Sequence, residues 1–344
     1  MMLGVFLANI VFLELFLVEC RTRGRSDSKI VGGTYVRDIR EMPWIVDIKN
    51  GSEKGDNHFC GGSVLTPIFV LTACHCLAQV SDDWKVPSVL ENAKDYVFVA
   101  GSLISGDRPG KHAQVRIASS ISIHPKCREI NQIMRYDFGI AFLTKPFIEN
   151  KWVRRISILS TDGETFTKSM YKLFAERPAK PCYVAGWGEV RRGSVGDSSV
   201  MSKKLRKVKM YIISETKCRQ LFGRQDKALK YFPFTKNQQI CATGRKNWGS
   251  DCQGDSGGPF ICGGYQVGVV SYGIDCGISL PAVYAGLGIF FEWYSNTILP
   301  KYARGKLRKV DSSAGWRIQT PHFKIYVALF ICCKLYSQRF SGAK

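Results

Sequence analysis

Acidic residues are few. The 344-residue chain holds 28 Asp and Glu against 49 Lys and Arg, a formal net charge of +21. Internal repeats are missing, so at roughly 100–200 residues per domain the length allows one large domain or two modest ones. Long amphipathic helical patterns are scarce until "GIFFEWYSNTIL" (288–299), which argues against a helical fold. The apolar run Ile325–Cys333 has nine residues, too few to span a bilayer. No C-x-x-C pair occurs, which removes a redox site of that kind. The zinc spacings C-x₂₋₄-C and H-x₃₋₅-H are also missing. No nucleic-acid recognition motif accompanies the positive charge.

What is present is apolar residues, 45% of the chain, enough to bury a sizeable core. The first twenty residues are almost all apolar and read as a signal peptide (1–20) ending near Cys20. An N-terminal membrane anchor is the other reading, because that run approaches the length of a span. Secretion makes most of the 13 cysteines disulfides. Residues 21–29, "RTRGRSDSK", form a polar basic linker with exposed cleavage sites, read as an activation peptide. From "IVGG" onward, short β-rich runs such as "DYVFVAG", "AQVRIASSISI", "KVKMYIIS" and "YQVGVVSYG" alternate with turn residues. This all-β pattern fits barrels or a sandwich. Residues 301–344 hold ten Lys and Arg against Asp311 alone and read as a basic, poorly ordered extension.

Three separated stretches carry chemical groups: "LTACHC" (Leu71–Cys76), "YDFGIAFL" (Tyr136–Leu143) and "GDSGGP" (Gly254–Pro259). With "IVGG" (Ile30–Gly33), they resemble, in order and spacing, the trypsin-like (chymotrypsin-fold) serine proteases. The resemblance covers roughly residues 30–300 and extends to "CGGSVL", "GWG" and "VSYG". It implies two packed antiparallel six-stranded β-barrels with a C-terminal α-helix, and a secreted serine endopeptidase. The residue chemistry agrees. A serine hydroxyl needs a base to take its proton as it attacks a carbonyl. His75 suits that task, since an imidazole titrates near pH ~6.5. Asp137 would orient the imidazole, Ser256 would be the nucleophile, and the N–H groups of Gly254 and Ser256 would form the oxyanion hole.

The resemblance also implies a zymogen. Cleavage after Lys29 would free the Ile30 ammonium to pair with Asp255, because a lone buried charge is costly. Four disulfides are implied: Cys60–Cys76, Cys182–Cys262, Cys218–Cys241 and Cys252–Cys276. Cys74 stands where most relatives have Ala, and Cys127 lies in the loop leading to Asp137, so a fifth bridge, Cys74–Cys127, is proposed. Cys332 and Cys333 are left without an assigned pairing. Three consecutive ligands point in different directions, so "ACHC" is a poor metal site, and no metal or cofactor is expected. Asp107 is the only acid in "GSLISGDRPGKHAQ", too few for calcium.

The substrate pocket departs from the family. Ser250 stands where trypsins carry Asp, and Asp251 brings the acid one place later. Gly273 leaves an open entrance, Ala282 replaces a common Gly, and Tyr272 replaces the usual Trp beside Ser271. Cleavage after basic residues is favoured, with a slot for apolar groups as the competing reading. Expected partners are polypeptide substrates, an activating protease, protein inhibitors and acidic polysaccharides, but no nucleic acid; the chain is expected to be a monomer. The alternative is a protease-fold regulatory protein without activity, although none of the triad is lost.

Overall fold

In the computed structural model, the described residues are 33–51, 57–80, 87–90, 92–130, 133–191, 200–244, 249–273, 276 and 280–303. Lys29, Ile30, Cys20, Cys332 and Cys333 lie outside them, as do the whole of residues 1–29 and nearly all of the extension. The chain divides into two compact units, Met1–Ser295 and Asn296–Lys344. Of the second, only residues 296–303 are described, and they are helical.

Apolar and β-branched runs make the strands. β1 (Ile45–Asn50), β2 (His58–Thr66), β3 (Phe69–Thr72), β4 (Tyr96–Ala100) and β5 (Gln114–Ile123) belong to a first barrel. A two-stranded ribbon, β6 (Arg128–Ile130) and β7 (Ile133–Arg135), follows, and β8 (Gly139–Leu143) closes the barrel in the order β8-β3-β2-β1-β4-β5. Closure leaves no edge strand in this barrel open to foreign chains. All four residues of β3 and all five of β8 are buried, so this pair lies in the core beside the segments that carry His75 and Asp137.

A helix the sequence reading did not anticipate, α1 (Gly163–Ala175), joins the halves. The Asp162 carboxylate caps it, accepting from the Thr165 N–H at 2.8 Å. Phe166, Met170 and Leu173, four and three residues apart, form its buried stripe. The second half comprises β9 (Cys182–Gly186), β10 (Arg206–Ile212), α2 (Glu215–Phe222), β11 (Gln239–Gly244), β12 (Pro259–Cys262), β13 (Tyr265–Tyr272) and β14 (Ala282–Gly286). Its strand order is β10-β9-β12-β13-β14-β11, and pairing of β10 with β11 closes six strands. The short helix α3 (Leu287–Trp293) follows, packing Phe291 against Phe166 at 5.2 Å between ring centroids. Two six-stranded barrels and a short closing helix are therefore the architecture.

Five disulfides join Cys60–Cys76, Cys74–Cys127, Cys182–Cys262, Cys218–Cys241 and Cys252–Cys276. The second ties the turn after β3 to the loop before β6. It sits in a small core with Ala78 and Met134, against which Tyr272 packs.

Candidate active site

Strand register brings the first two groups together. Thr72 faces Gly139 in the β3–β8 pair. His75 lies three residues past Thr72 and Asp137 two before Gly139, so both emerge at the same end of the barrel. The Asp137 carboxylate is buried and accepts three hydrogen bonds: His75 Nδ1–H at 2.9 Å, the His75 backbone N–H at 3.1 Å, and Ser271 Oγ–H at 2.5 Å. Ser271 belongs to β13, so the second barrel reaches across to support a carboxylate of the first.

These contacts separate the two titrations. Burial would raise the Asp137 pKa, but the His75 charge and the hydrogen bonds from His75 and Ser271 hold it below the ordinary carboxylate value. Burial would lower the His75 pKa, yet Asp137, with a smaller contribution from Glu129, holds it above the ordinary imidazole value. The arrangement is an ionised carboxylate orienting a basic imidazole.

Ser256 comes from the turn between β11 and β12 and is half-buried. Its carbonyl accepts the Gly61 N–H at 2.7 Å, which fastens this turn to β2 of the first barrel. The amides here alternate in use. Asp255 and Gly257 donate to Cys252 and Val270, at 3.0 and 2.8 Å, whereas neither Gly254 nor Ser256 donates to any described residue. Two N–H groups with no acceptor among the described residues thus flank Asp255. Gly254 has φ +90°, a backbone conformation that any residue with a Cβ adopts only under strain, so glycine is favoured there. No hydrogen bond joins the Ser256 hydroxyl to the His75 ring among the described residues. Such catalytic bonds often tighten only when substrate is bound.

Asp255 is buried, and its two oxygens accept the N–H groups of Gly188 and Cys252 at 2.9 and 3.0 Å. A Cβ on Gly188 would lie 2.6 Å from that carboxylate, which explains the glycine after Trp187. No ion pair engages Asp255 among the described residues. Burial raises its pKa to about 7 despite those hydrogen bonds, with Asp251 adding to the effect.

In the pocket region, Ser250 and Asp251 are both buried. Asp251 Oδ1 accepts from the Tyr284 hydroxyl at 2.7 Å and the Ser250 hydroxyl at 3.4 Å. The carboxylate is therefore partnered by hydroxyls and by no cation among the described residues, and burial raises its pKa. Ala282 is buried in β14. A Cβ added to Gly273 would have nothing closer than Ala282 Cα at 3.8 Å, leaving that position open. Tyr272 is half-buried and donates to Gln239 Oε1 at 2.9 Å. Burial raises its pKa well above the ordinary phenol value.

The model for the trypsin family matches residues 30–294. The chain belongs to the trypsin family. Trypsin beta of Drosophila erecta is 31% identical over 275 residues, covering 78% of this chain and 88% of the relative. Trypsin alpha of the same species is 28% identical over 273 residues, 79% of this chain and 88% of the relative. Phenoloxidase-activating factor 3 of Holotrichia diomphalia is 28% identical over 290 residues, 80% and 74%. This trypsin-family member is a serine endopeptidase, a hydrolase acting on polypeptides. No helix among its described residues is long and apolar enough to cross a membrane.

The protease brings Cys, His and acid groups close together at Cys60/His75/Cys76, Cys74/Cys127/Asp137 and Glu189/Cys252/Cys276. In each cluster the two sulfurs are bonded to each other, so no thiolate remains as a ligand. One group went unread in the sequence. His58 is buried between Asp47 Oδ1, 2.6 Å from Nδ1, and the Gly254 carbonyl, 3.0 Å from Nε2. It thereby holds the peptide that follows Gly254. Its place two residues before Cys60 in "HFCGGS" was visible, but its partners lie 11 and 196 residues away.

Proposed function

We propose that this enzyme is a secreted zymogen, activated by cleavage after Lys29, that hydrolyses peptide bonds following basic residues. The observation that carries the catalytic reading is the three-bond seat of Asp137 beneath His75. In it, His75 Nδ1–H is committed to Asp137, which leaves Nε2 free to accept a proton. His75 Nε2 takes the Ser256 hydroxyl proton as Oγ attacks the carbonyl carbon. The N–H groups of Gly254 and Ser256 receive the negative oxygen of the tetrahedral intermediate. The imidazolium then gives its proton to the leaving amine, and an acyl-enzyme remains. Water repeats the sequence with His75 as base, releasing the acid and restoring Ser256.

Activation rests on the state of Asp255. A buried carboxylate whose pKa is raised to about 7 is stabilised by a cation, and a freed Ile30 ammonium has the right charge. Asp251 supports basic specificity by the same reasoning, since among the described residues its buried carboxylate has no cationic partner. A substrate Lys or Arg ammonium or guanidinium would ionise it fully. The substrate backbone would run along Ser271–Gly273. Partners in this reading are an activating protease with basic preference, protein inhibitors of proteases and, through the positive charge, acidic polysaccharides. The enzyme acts as a monomer, with residues 301–344 as a basic extension.

The decisive experiment cleaves the chain after Lys29 and adds a covalent serine-directed inhibitor. Ser256 is labelled only after the cut. Labelling of the uncut chain at the same rate removes the zymogen claim, and no labelling in either form removes the catalytic one. Profiling a peptide library then tests the pocket, where a uniform preference for Phe or Leu overturns the role given to Asp251.

A further inference from the structure

The β6–β7 ribbon leads directly into Tyr136 and Asp137, and it carries a cation, Arg135, with no ion-pair partner among the described residues. Arg128 and Arg135 are registered partners across it. Like charges placed directly opposite each other weaken an antiparallel pair. Arg135 is half-buried, with its guanidinium carbon 5.3 Å from the centroid of the Phe232 ring. Its Nε is buried and has no hydrogen-bond acceptor, and the side chain enters no ion pair among the described residues. Neither neighbouring acid forms an ion pair with Arg135 among the described residues. Asp137 holds His75 and Ser271, and Glu129, one residue from Arg128, faces Met134 across the ribbon and acts on His75.

The same ribbon is tied to the strand assigned to substrate. The Tyr272 hydroxyl donates to Gln239 Oε1, and Gln239 Nε2 donates to the Met134 carbonyl at 2.6 Å, next to Arg135. Arg135 is close enough to Tyr272 to act on its hydroxyl. A peptide antiparallel to Ser271–Gly273, with its reacting bond at the Ser271 end, passes Tyr272 with the residues that precede that bond.

We propose that Arg135 binds a carboxylate side chain of the substrate on the N-terminal side of the cleaved bond. A guanidinium and a carboxylate form charge-assisted hydrogen bonds, and such a pair would neutralise the cation. This inference rests on the protease reading and on the path of the peptide along Ser271–Gly273. The chain's own junction has this chemistry. In "RSDSKIVGG", Asp27 stands two residues before Lys29, so a second copy of this chain is a matching substrate.

The test uses the full chain, cleaved after Lys29 and freed of the maturing protease. Peptides patterned on "RSDSKIVGG" carry the best-accepted residue at the cleaved bond and Asp, Asn or Lys two places before it. The expected order of kcat/KM is Asp, Asn, Lys, with Asp about tenfold or more above Lys, as for one charge-assisted hydrogen bond. R135E inverts the order, and R135Q erases it. Equal cleavage of the Asp and Lys peptides, or an Asp preference retained in R135E and R135Q, overturns the role of Arg135 and leaves the protease reading intact. Cleavage of no peptide, with Ser256 unlabelled by the covalent inhibitor, overturns both.

Discussion

Asp137 and Asp255 are both buried carboxylates, yet they titrate in opposite directions. Asp137 is held below the ordinary value by an imidazole and a hydroxyl. Asp255 has only amide hydrogens, and burial carries it to about 7. Burial alone therefore does not set ionisation; the charge of the nearest partner does. One carboxylate has a cationic partner, and the other has none among the described residues.

The most damaging way to probe this contrast is D137N. The amide can no longer hold the basic tautomer of His75, so kcat should fall on the order of 10³–10⁴-fold. In the parent enzyme, kcat/KM should fall as pH drops through a pKa above 6.5, because Asp137 raises that of His75. That acid limb should move to lower pH in D137N. A kcat within tenfold of the parent would remove Asp137 from the mechanism.

Asp255 comes next. Its folded pKa of about 7 lies above the ordinary value of 3.8. Its contribution to stability is therefore complete below pH ~4 and is lost as pH rises through about 7. The uncut chain should become less stable by up to ~4 kcal/mol across that window, and D255N should flatten the decline. After the cut after Lys29, the parent should lose this dependence as the new ammonium pairs. Equal pH profiles for the uncut parent and D255N, followed by thermal unfolding, would contradict the contrast.

Removing the Cys74–Cys127 bridge with Cys74→Ala and Cys127→Ala should cost about 2–4 kcal/mol of stability. Because the bridge adjoins His75, kcat should suffer more than KM; an unchanged melting temperature would mean the bridge contributes little. The smallest effect is expected for D251S, about 10–100-fold in kcat/KM on Lys or Arg peptides. Peptides ending in Phe should be much less affected.

Local patterning made much of this molecule readable. "LTACHC", "YDFGIAFL" and "GDSGGP" each require particular neighbours in sequence: strand residues before the histidine, glycines around the serine. The strands at Tyr96–Ala100 and Gln114–Ile123 follow from β-branched and aromatic content. Helix α1 escaped notice because its three buried residues, Phe166, Met170 and Leu173, form a thin stripe among Thr, Ser, Lys and Glu, which packing against α3 helps to stabilise. His58 escaped because a lone histidine announces nothing until Asp47 and Gly254 flank it. Arg135 escaped for a similar reason, since opposition to Arg128 depends on the register of the ribbon.

By itself, then, the sequence determined which groups were available and the family to which they belong: an imidazole, a carboxylate and an alcohol in recognisable settings, glycines where side chains would clash, and cysteines enough for five bridges. Only the tertiary structure decided which carboxylate has its pKa lowered and which raised and, among the described residues, which amides have no acceptor and which arginine has no ion-pair partner. The physical reason is that electrostatic energy depends on burial and on distances between groups far apart along the chain, and neither exists until the barrels close.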